Sequence, residues 1–143
     1  MTETDMNSSR CKTEINIYGS PHDDINIDLI TELLGITPTY TRKRRDFPEV
    51  SQRLMLAQDG WAYEIPYDNI CDIDTLVTLL LGLFSDKIHI LNHLRETLPC
   101  NTTFNIVINT TESAGYPKML LSKEFVEVAA TINAKISIAL YRY

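Results

Sequence analysis

The longest apolar segment of the chain, residues 72–98, carries its hydrophobic side chains at helical spacing. On a 3.6-residue wheel Ile73, Val77, Leu80, Phe84, Ile88, Leu91 and Leu98 share one stripe, flanked by Leu76, Leu83 and Leu94. Thr75, Thr78, Gly82, Asp86, His89, His93 and Glu96 fall on the opposite side. Asp72 is placed to cap the amino end, because its carboxylate can accept from the free amides of the first turn. A straight rod of this length would measure about 40 Å at 1.5 Å per residue. A domain of this size is itself about 35–40 Å across. A break at Gly82 or Ser85-Asp86 is therefore expected, with Ser85 capping the second piece and Pro99 closing it.

The other elements follow from shorter patterns. Residues 13–18 alternate, with Ile15 and Ile17 on one face of a first strand. Gly19-Ser20-Pro21 turns the chain into a helix over 25–34, whose stripe is Ile27, Ile30, Leu33 and Leu34 and whose stop is Gly35. Residues 36–50 read as irregular. Residues 51–57 and 61–66 read as a β-hairpin around Gln58-Asp59-Gly60, since Asp-Gly between β-prone segments favours a tight turn. Residues 102–109 form a strand with Phe104, Ile106 and Ile108 on one face. Ser122 caps a helix over 123–132, Asn133 stops it, and 135–143 is the last strand. This order predicts one α+β domain over 12–143 behind a disordered tail, 1–11. The architecture expected is a two-layer sandwich, a mixed or mainly antiparallel sheet of about five strands with three or four helices packed on it.

Composition fits that picture. A hydrophobic fraction of 44% in 143 residues supports a packed core and excludes global disorder. The net charge of −6 argues against a nucleic-acid partner, because phosphate would be repelled. Cys11, Cys71 and Cys100 lie far apart with no CxxC spacing, which reads as reduced thiols in a cytoplasmic protein. Residues 2–10 have no apolar core for a signal peptide, and the charges and two histidines within 72–98 exclude a membrane span. The N-x-[ST] triplets at Asn7, Asn101 and Asn109 read as chance matches.

Charge is unevenly spread. Five of the thirteen Lys and Arg lie between Arg42 and Arg53, four of them in the run Arg42-Lys43-Arg44-Arg45. Residues 54–86 hold no Lys or Arg but six acids: Asp59, Glu64, Asp68, Asp72, Asp74 and Asp86. Carboxylates at a helix start offset its dipole. The cluster Asp68, Asp72 and Asp74 at that helix start, with Tyr63 and Tyr67 nearby, could also dock a basic protein surface. His89 and His93 are spaced i, i+4 with Glu96 close by, a pattern that can hold zinc, although the wheel puts them on the wet side. GxSxG, HExxH, GxGxxG and Walker motifs are absent from the sequence, and no cofactor is implied.

Several signatures together resemble a bacterial family known as domain of unknown function 4279. They are Leu34-Gly35-Ile36-Thr37-Pro38-Thr39, the basic Arg42-Lys43, Trp61 on a strand, the Leu-rich helical run, Leu121-Ser122 opening a helix, and Ile136-Ser137-Ile138-Ala139-Leu140-Tyr141. The likeness spans 14–141. The family pattern commonly has Gly where Arg44 stands and often an acid near Ala139. The resemblance implies an α+β fold and no established activity, so no catalytic residue is carried over. Such domains are also similar to small immunity proteins that accompany bacterial toxins.

The expectation is thus a non-enzymatic, cytoplasmic binding protein, a monomer or weak dimer. Most concretely it is an immunity protein, or antitoxin, that neutralises a cognate basic, nuclease-type toxin, as in contact-dependent growth inhibition. The predicted contact residues are Asp59, Glu64, Tyr67, Asp68, Asp72 and Asp74. The alternatives are a small-ligand or metal-binding domain or enzyme using His89, His93 and Glu96, and a homo-oligomeric regulatory scaffold that pairs through an open sheet edge.

Overall fold

The computed structural model describes residues 9–68, 72–111 and 118–142. Its elements are β1 (Arg10–Gly19), α1 (Ile27–Leu34), β2 (Tyr40–Arg42), α2 (Glu49–Arg53), β3 (Gly60–Asp68), α3 (Ile73–Phe84), α4 (Ile88–Thr97), β4 (Cys100–Thr110), α5 (Lys123–Thr131) and β5 (Lys135–Arg142). The strands form one sheet in the order β2-β3-β1-β4-β5. The pairs β2–β3, β3–β1 and β1–β4 are antiparallel, and β4–β5 is parallel across the α5 crossover. The mixed α+β sandwich expected from the pattern is the observed fold.

Strand alternation divides the sheet into two chemistries. Ile15, Ile17, Trp61, Phe104, Ile106 and Ile108 face the helices and are almost wholly buried. Ile30, Leu34, Ile73, Val77, Leu80, Phe84, Leu94 and Phe125 meet them from above. Aromatic edges lock the layers: Trp61 and Tyr63 stand edge-on to Phe84, and Phe125 meets Phe104 at 5.0 Å between ring centroids. Trp61 Nε1 donates to Thr31 Oγ1 at 3.0 Å, so its polar atom is satisfied inside the core.

Local signals set most boundaries. Asn26, Asp72 and Ser122 cap α1, α3 and α5 by accepting from the amides of Leu29, Thr75 and Phe125. Gly35 and Asn133 take the left-handed backbone (φ 67° and 55°) that ends a helix. The long apolar run breaks where its length requires, through a 3₁₀ turn at Ser85–Lys87. Ser85 does not cap the second piece, because Lys87 takes the cap position and makes no side-chain cap bond.

The expected hairpin strand over 51–57 is not formed. Glu49–Arg53 is helical, with Pro48 at its cap, Glu49 in its first turn and Arg53 in its last. Met55 has φ 59°, which no strand tolerates, and Leu54, Met55 and Leu56 are each more than half exposed. The partner of β3 is instead Tyr40–Arg42, within the stretch read as irregular. Pro66 does not end β3 either. It sits where the β1–β3 register slips, an irregularity that tolerates a residue with no amide hydrogen.

The expectation of three reduced thiols is also corrected. Cys11 is fully buried and disulfide-bonded, and Cys100 is a buried free thiol that burial pushes up to about 11. The cytoplasmic expectation loses that premise. The expected tail falls largely on residues 1–8, outside the described residues, whereas Arg10 and Cys11 already belong to β1. Cys71 and most of the loop expected over 110–117 also lie outside them.

Candidate functional site

The structure disperses the predicted acidic surface. Asp59 is buried at 2% exposure, so it is no docking residue. Its carboxylate accepts from the amides of Ile25 (2.8 Å) and Arg44 (2.6 Å), while its backbone oxygen accepts from Gly19 (2.9 Å). Asp59 and Asp68 bracket the nine-residue strand β3, which separates them by about 30 Å at 3.3 Å per residue. Glu64 lies on the sheet face away from the helices, 3.5 Å from Lys12 Nζ. The side chains of Tyr67 and Asp68 are outside the described residues. Asp72 is committed to capping α3, holding the amide and hydroxyl of Thr75.

Two of the four bases in the run share one carboxylate. Arg44 Nη2 and Arg45 Nε contact the two carboxylate oxygens of Asp24 at 3.0 and 2.7 Å. The hydrogen bond from Arg45 holds the Asp24 carboxyl below its usual range, with Arg44 adding to it. The Arg44 side chain, only 16% exposed, is held in this pairing.

The sheet face away from the helices carries a polar network across β2, β1 and β4. Glu14, on the central strand, is 7% exposed and accepts from Tyr40 Oη (2.7 Å) and Asn105 Nδ2 (2.8 Å). Tyr40 belongs to β2, two strands away, so its ring crosses β3 beside the small Ala62. Arg42 crosses the same strand over Gly60 to within 3.5 Å of Asn16 Oδ1. A Cβ on Gly60 would lie 2.6 Å from the Arg42 guanidinium, so a side chain there would push that guanidinium aside. Burial, reinforced by the bond to Glu14, pushes the Tyr40 phenol up to about 12. Within this network Glu14, Tyr40 and Asn105 satisfy one another.

The helical layer is different. A groove of about 700 Å³ runs between α3 and α5. Leu81, Ile88 and Val128 give it apolar walls, and Asp74, Glu124 and Glu127 place three carboxylates along it. No base is among its described lining residues. Gly82 lies in it too, and a Cβ there would meet nothing within 4 Å. Of the acids predicted to meet a partner, Asp74 alone lines this groove. Glu124 and Glu127 were missed, because α5 shows its own amphipathic stripe but not which helix lies beside it.

His89, His93 and Glu96 are all exposed on α4. Among the described residues no group of three or more His, Cys, Asp or Glu side chains could hold a metal. Nor is any described helix long and apolar enough to cross a membrane.

The family model for a domain of unknown function, DUF4279, matches residues 9–143. The chain belongs to this family. The match begins one residue before β1 and covers every strand and helix, so the DUF4279 domain is the whole sandwich. No curated protein and no solved structure matches the chain.

Proposed function

We propose that this DUF4279 domain is a non-enzymatic binding module that takes a basic, partly apolar segment of a protein partner along the α3–α5 groove. The groove itself carries the reading: apolar walls for desolvation, three carboxylates and no described base in its lining. Burial of apolar surface would supply affinity at about 25 cal/mol per Å². The carboxylates would supply orientation and a faster encounter. Gly82 adds to this. A glycine inside a helix costs about 1 kcal/mol relative to alanine, and no neighbour within 4 Å demands it. Its missing side chain leaves the groove wider at that point.

In its most concrete form the partner is a cognate bacterial toxin of basic, nuclease type, and the domain is an immunity protein. The net charge of −6 supports a basic partner. Such a toxin would be met in the cytoplasm. The Cys11 disulfide stands against that compartment, because a reducing cytosol disfavours it.

The test is co-expression with the product of the neighbouring gene, followed by gel filtration and titration calorimetry. A toxic neighbour and a stable complex are expected. Gly82→Trp, which fills the groove, and the pair Asp74→Lys with Glu127→Lys should each weaken binding at least about tenfold. Added salt should slow association. A harmless neighbour or no complex sinks the immunity reading. A complex indifferent to all three substitutions sinks the groove.

A further inference from the structure

The two edges of the sheet are treated differently. β2 is three residues long and leads into the basic run, features that discourage strand addition. β5 is eight residues long, and its stretch Ile136-Ser137-Ile138-Ala139-Leu140-Tyr141 contains no charge and no proline. No described strand pairs with its outer edge. Parallel pairing with β4 puts Ile136, Ile138 and Leu140 on the helix side and Lys135, Ser137, Ala139 and Tyr141 on the other. Ile138, Leu140 and Tyr141 are 47%, 43% and 52% exposed. A long apolar edge of this kind is a template for another strand.

Helix α5 continues the same patch. Its Phe125, Ala129 and Ile132 side enters the core, and its Glu124, Glu127, Val128 and Thr131 side lines the groove toward α3. On the wheel Val126 and Ala130, with Lys123 at the start of the helix, are left for the third side, away from α3 and toward β5. The two apolar residues are both exposed, Val126 at 48%.

We infer that β5 pairs antiparallel with β5 of a second copy, about a two-fold axis perpendicular to the sheet that passes through Ile138. Such an axis keeps each sheet face on its own side, so facing residues share parity and the axis must pass through a residue. Through Ile138 it sets Ile138 against Ile138, Ile136 against Leu140, and Lys135 against the Tyr141 ring. The helix-side pairs are then all aliphatic, and the other side gains a cation–aromatic contact. An axis through Ala139 would put Arg142 against Ile136, and one through Ser137 would leave Tyr141 beyond the paired stretch. With strands about 4.8 Å apart, a helix seated over the β4–β5 pair lies about 10 Å from its two-fold mate, the usual spacing of packed helices. Covering most of the exposed parts of these side chains and of the six-residue edge removes about 500 Å² per chain, at the threshold of a specific interface. The dimer is therefore weak, with a micromolar dissociation constant. It leaves the α3–α5 groove uncovered and does not depend on that groove's function.

Sedimentation of the whole chain from about 1 µM to 1 mM should show reversible dimerisation. Ile138→Lys places two ammonium groups on the axis and should raise the dissociation constant by about a hundredfold or more; circular dichroism would verify that it folds. Ile138→Cys should cross-link under mild oxidant, because facing Cα atoms about 4.5–5.5 Å apart accept a disulfide. Leu140→Cys should not, its mate being two residues off register on each chain. A monomer at every concentration overturns the inference. So does a dimer unaffected by Ile138→Lys, or one that cross-links equally well through position 140.

Discussion

Asp59 shows how a residue's role is set by what surrounds it. Its carboxylate is taken up by two main-chain amides, and its own backbone ties β3 to the end of β1. Asp59→Ala would leave the Ile25 and Arg44 amides without that partner. A hydrogen bond to a charged group contributes about 1.5–3 kcal/mol. With two such bonds lost, the drop expected in urea denaturation is about 3–6 kcal/mol, with no direct effect on partner contacts. Tyr40 gives a prediction in pH. Its neutral phenol donates to Glu14, and its pKa is raised from 10.0 to about 12 in the folded state. A raised folded value means the contribution is whole below pH 10 and is lost as pH climbs from about 10 to 12. The stability difference between the wild type and Tyr40→Phe should thus be flat below pH 10 and shrink across that window. A difference that does not change there would refute the Tyr40–Glu14 contact.

At the scale of elements, the helices obey their own sequences while the strands answer to their neighbours. α3 and α4 keep the apolar stripe of one run, broken at Ser85–Lys87 because a single rod would overhang the sheet. Gly82→Ala tests whether glycine there serves packing. With nothing within 4 Å of the new methyl, the gain in helix propensity should raise stability by about 0.5–1 kcal/mol. A loss of stability in thermal melts would mean that the internal packing needs glycine. The hairpin around Asp59-Gly60 failed as a reading for a related reason. Asp-Gly is a turn signal when nothing else explains it, but here the aspartate is a buried acceptor and the glycine a passage for Arg42.

At the scale of the whole molecule, the sheet order separates two kinds of surface. The paired arginines lie at the β2 edge, and the acid-lined groove lies in the helical layer toward β5. Between them runs β1, flanked on both sides, with its apolar residues in the core and Glu14 at the centre of the polar face. The dimer inferred at β5 would extend this arrangement symmetrically, placing two grooves on one face of a ten-stranded sheet and the two β2 edges at its far ends. A partner binding both grooves at once would then gain from their linkage.

The sequence by itself determined the local items: the helix caps at Asp72 and Ser122, two left-handed stops, the broken helix, four of the five strands and the α+β class. These rest on side chains acting on their own backbone or on hydrophobic spacing along one element, which chain order displays directly. Only the tertiary structure decided that Asp59 is buried, that Arg44 and Arg45 share Asp24, that Tyr40 crosses a strand to reach Glu14, and that Asp74 meets Glu124 and Glu127 along one groove. Each of these depends on which element lies beside which, and six acids near one another in sequence carry no information about that. The charge run and the acidic stretch were legible as composition. Whether a charge is spent inside the fold or left for a partner is settled by packing.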